Sequence, residues 1–207
     1  MEDKNKMIFF VQKSRLYVSR LFAIVILLLA VFTSHSFTQE GLLDIACEVT
    51  GLFLLTICSM GRLWSLLYIS GNKSLEIITD GPYSMMRNPL YFFSSIGAVG
   101  IGLASENLLI LILIITFYAA YYPFTILAEE KKLEKKFGEV YIEYKRKTPR
   151  FLPKLSLYRG PVLYTINANT FIKNFVNGMW FIWIFILFHI LEMAQNAGYL
   201  PVYWRIP

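Results

Sequence analysis

Two polar stretches carry the residue types that can do chemistry. In "GPYSMMRNPLY", residues 81–91, an arginine, an asparagine, two tyrosines and two prolines stand ahead of an apolar run. In "EEKKLEKKFGEVYIEYKRKTPRFLP", residues 129–153, the carboxylates Glu129 and Glu130 close another apolar run. Asp80-Gly81-Pro82-Tyr83 is a turn signal, and Asn88-Pro89 marks a second backbone break, with Pro89 suited to the first turn of the next helix. A helix start offers unsatisfied N–H groups and a partial positive charge, a seat for a carboxylate or another anion. The carboxylate pair can hold a cation, a ribose diol or an amino group. Each stretch also has a plainer reading. Residues 129–136 have the pattern of a solvated helix with i,i+4 ion pairs, and Arg87 that of an interfacial anchor.

The elements that must position these residues are membrane helices. The chain has 207 residues, 56% hydrophobic and only 16% charged, with a mean hydropathy of +0.51, which is the composition of an integral membrane protein. Its net charge of +6 comes from basic residues gathered between apolar runs, as positive-inside topology requires, rather than from a nucleic-acid surface. Leu21 to Phe37 follows a basic leader. It resembles a signal peptide but reads as an uncleaved first span, being long and preceded by bases far into the leader. Leu42 to Leu67 is the second span, interrupted by Glu48 and Arg62. Leu90 to Ala104, extended by a turn borrowed from the residues before it, and Leu108 to Ala128 form a helical hairpin. Phe175 to Met193 is the fifth candidate, and Ser156 to Lys173 reads as a linker to it. The expected fold is therefore an all-α, polytopic membrane bundle of about five transmembrane helices.

The bases sort the loops into two sets. The leader, the segment 62–87 and the segment 131–154 are basic, whereas the connectors 38–44 and 105–107 carry acids. The basic set is expected in the cytoplasm, so both polar stretches flank the hairpin on that face and are neighbours. Cys47 and Cys58 lie in apolar sequence without a CxxC pair or His cluster, so no metal site is indicated. Glu48, His189 and Glu192 fall at or near helix ends, which interfacial positions explain.

Taken together and in this order, the two stretches resemble the membrane methyltransferases that include isoprenylcysteine carboxyl methyltransferase and the phospholipid N-methyltransferases. Residues 81–91 are similar to that family's GPY-x3-RHP-x-Y signature and residues 129–153 to its EE-x2-L-x3-FG-x2-Y-x2-Y-x4-PRFIP signature. The likeness spans residues 61–153. It implies a core over 1–155, with 156–207 as linker and carboxyl-terminal membrane helix. It also implies S-adenosylmethionine bound at the cytoplasmic face without a Rossmann domain. By position in the motif, Tyr83, Asn88, Pro89, Leu90 and Tyr91 would line the cofactor pocket. Leu75, Glu76, Ile77 and Ile78 would form one wall and Glu129 the acidic contact, with Glu130 beside it. Asn88, Tyr91, Glu129 and Glu130 are the catalytic candidates. The family usually has histidine where this chain has Asn88. Asparagine keeps a donor and an acceptor but cannot titrate near neutrality, which favours an acceptor already anionic, such as a carboxylate. The implied acceptor is lipid-like or prenylated, with N-methylation of a phospholipid as the alternative. Membrane sterol reductases, which bind NADPH, carry a similar polar, proline and tyrosine signature before a hairpin. The Glu129-Glu130 pair followed by Leu133 and Phe137-Gly138 is closer to the methyltransferases. A non-catalytic scaffold is the third reading.

Overall fold

The apolar periodicity resolves into eight helices among the described residues. The computed structural model describes residues 2–35, 41–70, 76–161 and 166–206, so Leu75 lies outside the described residues. Helix α1 (Glu2–Phe32) runs from the basic leader through the first apolar stretch and ends in β1 (Thr33–His35). There follow α2 (Leu42–Ile69), the single turn α3 (Pro82–Met85), α4 (Pro89–Ala104), α5 (Leu108–Phe137), α6 (Glu139–Lys147), α7 (Ala168–Gly178) and α8 (Trp180–Asn196). Strand β2 (Trp204–Ile206) pairs in parallel with β1, Thr33 opposite Trp204. This is an all-helical membrane bundle with one short ribbon. By length and composition, α2, α5 and the stretch Ala168–Asn196 can cross a membrane, and Tyr17–Phe32 and α4 are shorter apolar helices.

Three expectations need correction. α4 borrows no turn from the residues before it. Asn88 has φ −127° and ψ 55°, because the residue before a proline is driven out of the helical region. At 16 residues, α4 is about 24 Å long. The linker expected to reach Lys173 ends earlier, since α7 begins at Ala168, where the Asn167 side chain caps it by accepting from Thr170 N at 2.9 Å. The last apolar stretch is two helices, which meet at Met179.

Small residues let α2 and α4 approach closely. A Cβ on Gly51 would stand 2.8 Å from the backbone N of Ala104, and one on Gly97 2.4 Å from Cys58 Sγ. Backbone contact of this kind substitutes for the hydrophobic drive that lipid removes. The buried cluster of Ile26, Ala98, Ile110, Ile114 and Phe188 then joins α1, α4, α5 and α8. At one end, the hairpin tip is pinned by Asn107. Its Oδ1 accepts from Leu109 N and Ile110 N, capping α5, while its Nδ2 donates to Thr33 Oγ1 at 3.0 Å. Gln195 Nε2 donates to the Ala30 and Val31 carbonyls at this same end. Acids collect there: His189 Nδ1 is 3.3 Å from Glu48, and buried Glu106 faces Glu192, Asp44 and Glu48. The bases and both motif stretches gather at the opposite end.

Candidate active site at the basic end

α5 carries the acidic pair past the hairpin without a break, because the 30-residue helix continues to Phe137. Adjacent helical residues diverge by about 100°, so Glu129 and Glu130 take different roles. Glu130 is buried at 3% exposure and faces α4. Its Oε1 accepts from Asn88 Nδ2 at 3.0 Å and lies 3.1 Å from Arg87 Nε. Its Oε2 accepts from Arg150 Nε at 3.1 Å. Asn88 Nδ2 also donates to the Arg150 carbonyl at 3.0 Å, and Arg87 Nη1 to the Lys145 carbonyl at 2.9 Å. One buried carboxylate therefore ties together the start of α4, α5 and the segment after α6.

The segment 81–88 is held from a second side. Arg87 N donates to the Pro149 carbonyl, Lys154 N to the Met85 carbonyl and Tyr144 Oη to the Tyr83 carbonyl at 2.7 Å. Gly81, at φ +58°, makes the turn that a side chain would strain. Burial first, and then the neighbouring Glu130 carboxylate, push the Tyr141 phenol up, and Tyr144 is pushed up by burial and the neighbouring Tyr83. Both stay neutral, and Tyr144 is the one that donates.

Tyr118, Tyr122 and Glu129 recur along one stripe of α5, four and seven residues apart. Tyr122 stacks on Tyr118 at 4.0 Å between ring centroids and meets Tyr91 edge-on at 5.8 Å. Tyr118 Oη donates to the Tyr91 carbonyl. Glu129 lies two turns further toward the basic end and remains half-buried. The structure thus brings Tyr83, Asn88, Pro89, Leu90, Tyr91 and Glu130 to one place, with Glu129 on the stripe that passes it. Ile77 and Ile78 are half-buried in non-helical chain, and Glu76 is exposed.

An open hollow of about 560 Å³ adjoins this cluster, lined by Arg87, Arg150 and the basic run 145–147. Sequence reasoning noted Arg62 only as an interruption of the second span. In the structure Arg62 Nη1 donates to Ser94 Oγ and the guanidinium lies 5.3 Å above the Phe181 ring, one turn beyond Tyr91 along α4. The signal was present in the sequence, since a cation inside an apolar helix is costly without a function.

The donor set fits S-adenosylmethionine, whose amino-acid end carries a carboxylate and an amine and whose ribose carries a diol. The Asn88 side chain makes no capping bond to its own helix, because it is turned to Glu130 and Arg150. In the first turn of α4 Pro89 has no N–H, and the Tyr91 and Phe92 N–H groups donate to the Asn88 carbonyl at 3.1 Å, which leaves the Leu90 N–H for an anion. Glu129 supplies a carboxylate for an amine or a diol. Among the described residues, no group of three His, Cys, Asp or Glu is placed to hold a metal ion.

Fold and site together define a helical membrane protein whose polar site is built where a proline-broken loop meets a hairpin. A family model described as phospholipid methyltransferase matches residues 45–140, the span from α2 to the start of α6. Over 182 residues the chain is 36% identical to the nickel-cobalt-cadmium resistance protein NccN of Alcaligenes xylosoxydans xylosoxydans, covering 88% of this chain and 85% of that protein. It is also 36% identical over 150 residues to the cobalt-zinc-cadmium resistance protein CzcN of Cupriavidus metallidurans, covering 72% of this chain and 69% of that protein. No solved structure matches. The chain belongs to the membrane methyltransferase family and carries its phospholipid methyltransferase domain over residues 45–140.

Proposed function

We propose that the chain moves a methyl group from S-adenosylmethionine to an amphipathic acceptor at the basic, cytoplasmic end of the bundle. A carboxylate is the first choice of acceptor, as in isoprenylcysteine carboxyl O-methylation. The observation that carries this reading is the Glu130 node, which clamps both motif stretches around the uncapped start of α4. Bound there, S-adenosylmethionine supplies a methyl group activated by its sulfonium. The chain's own work is to hold the acceptor in line and to exclude water. Glu130, with Arg87, Asn88 and Arg150, fixes the position of α4's first turn. The Leu90 N–H of that turn and Glu129 receive the polar groups of the cofactor, and the Tyr91–Tyr122 contact closes the membrane side. Asn88 offers no titratable group near neutrality, so an acceptor already deprotonated suits the site. The wall at 75–78 and the division into a core over 1–155 and a selecting tail over 156–207 belong to the same proposal.

The family description favours a second acceptor, the amine of a phospholipid. Membranes incubated with methyl-labelled S-adenosylmethionine separate the two, since base frees the label of a methyl ester as volatile methanol and leaves that of an N-methyl amine non-volatile. Incorporation of no label, with NADPH oxidised instead, would overturn the proposal in favour of reduction. The names of the relatives add a setting, resistance to cobalt and cadmium. Loss of this chain is expected to lower growth on cobalt or cadmium salts.

A further inference from the structure

Arg62 lies seven residues from the end of α2, about 10 Å inside the apolar length. Its environment is incomplete. One donor is used by Ser94 Oγ and one face by the Phe181 ring. Its Nε is buried without an acceptor. Among the described residues no carboxylate stands within ion-pair distance of it. The arginines of the site at the basic end differ in this respect, because Arg87 and Arg150 share Glu130. An arginine facing lipid ordinarily extends along its own helix toward the headgroups. Arg62 is held instead against α4 and α8, and it stays half-buried, so a ligand can reach it.

A planar guanidinium with spare donors in a water-poor setting selects a carboxylate or phosphate. We propose that Arg62 receives the anionic head of the amphipathic acceptor, a carboxylate or a phosphate, entering from the membrane where α2, α4 and α8 meet. Ser94 is three residues from Tyr91, so the bound head stands about one helical turn, roughly 5 Å, from the tyrosine contact. Phe181 and the apolar faces of α4 and α8 take the tail. The assignment rests on the methyl-transfer reading for the identity of the ligand as acceptor, but not for its chemistry.

The test is the melting temperature of the purified protein in maltoside detergent at pH 8, with laurate, dodecyl phosphate, dodecanol, acetate or inorganic phosphate added. Binding to the native state raises the midpoint by mass action. Laurate or dodecyl phosphate is expected to raise it, and dodecanol is not. Arg62→Gln should weaken the apparent affinity for the anionic amphiphile at least tenfold while S-adenosylhomocysteine still stabilises the variant. Equal responses in Arg62→Gln and the parent, equal responses to dodecanol, or no response in the parent would each overturn the proposal. Acetate or inorganic phosphate acting as well as the amphiphiles would overturn the role of the tail. If Arg62→Gln does not fold, Arg62→Lys is measured instead, since it keeps the charge but loses the planar fork. An unchanged affinity for both amphiphiles in that variant would count against the assignment. An Arg62-dependent response to laurate, without any response to S-adenosylhomocysteine, would uphold this site and overturn the methyl-transfer reading.

Discussion

Asn88 Nδ2 donates to Glu130 Oε1 at 3.0 Å, across 42 residues of chain and the whole hairpin between them. The bond sets the register of α4 against α5 at the end where the two motif stretches meet. Glu130 has only 3% of its side chain exposed, and Arg87 7%, so the pair is shielded from solvent. Removing one member of a buried charge pair leaves the other uncompensated, at a cost of about 3–5 kcal/mol. Glu130→Gln is therefore expected to lower the melting temperature in detergent markedly. Arg150 is 47% exposed, and Arg150→Ala should cost nearer 1 kcal/mol, the scale of a solvent-screened pair. Lys147→Ala, which removes an exposed pair with Glu143, should change little. Equal losses at all three positions would show that the site is not organised around Glu130.

The same bond predicts the outcome of an isosteric change at position 88. Asn88→Asp puts a carboxylate where an amide donates to Glu130, and two adjacent carboxylates cannot both ionise cheaply. The folded-state pKa of the new acid is expected above its unfolded value. The folded state then binds more protons than the unfolded one, and stability falls as pH rises through this window. Melting curves of Asn88→Asp and the parent should converge toward pH 4 and separate toward pH 8. A constant offset between them would mean that the Asn88–Glu130 contact does not form.

Much of this arrangement was legible in the sequence, and what was not has physical reasons. The five apolar stretches are helical over most of their described length, apart from the strand Thr33–His35 at the end of the first and the break at Met179 in the last, and the two polar stretches meet at one end, because span length and basic loops are local properties. Which of Glu129 and Glu130 turns inward is set by the start of α4 and the segment after α6 that pack on this end of α5, and not by the face buried nearer the hairpin tip, since Glu130 stands about 200° round the helix from the buried Ile110 and Ala128. Sequence reasoning took Glu129 as the cofactor contact and left Glu130 as its neighbour, without foreseeing that Glu130 would hold two arginines. The acidic end was visible only as separate residues. Glu48, Glu106 and His189 come from three elements, and no short motif joins them.

That acidic end gives a third expectation. Burial, followed by Glu192 and Asp44, raises the Glu106 carboxyl from 4.5 to about 9. Glu106 sits in the connector between α4 and α5. A carboxyl with a raised folded-state pKa is protonated in the native protein at pH values where the unfolded chain has lost its proton. It therefore subtracts stability progressively as pH rises from about 4.5 to about 9. Glu106→Gln, which keeps the shape and removes the titration, is expected to flatten that slope and to be more stable than the parent at pH 8. A parallel pH profile in the variant would place the destabilising titration elsewhere.

The close approach of α2 and α4 supports a fourth. A Cβ at Gly51 would meet the Ala104 backbone nitrogen at 2.8 Å, and backbone cannot rotate away as a side chain can. Gly51→Leu must push the helices apart and is expected to cost about 1–3 kcal/mol, as overpacking does. Gly198, where nothing stands within 4 Å, is a poor control, because its φ of +78° strains any side chain. Ala substitution at the exposed Ile172 is the better comparison and should be nearly neutral.

The last expectation bears on the cofactor and separates binding from scaffolding. Glu129 lies on the Tyr118–Tyr122 stripe, half-buried, while Glu134, five residues further on, pairs with Lys145 at 3.0 Å in a setting 40% exposed. If Glu129 receives the amine or the diol of the cofactor, Glu129→Gln replaces a charge-assisted hydrogen bond by a neutral one. That should weaken S-adenosylhomocysteine binding by about 1–3 kcal/mol. The melting temperature without ligand should fall less than in Glu130→Gln, because Glu130 holds the buried ion pairs and Glu129 is only half-buried. Glu134→Gln should leave ligand affinity unchanged. Calorimetric titration of the three proteins in the same detergent reads both quantities. Equal affinity in all three would remove Glu129 from the cofactor site, and a loss of affinity matched by a loss of stability would make it a support of the fold.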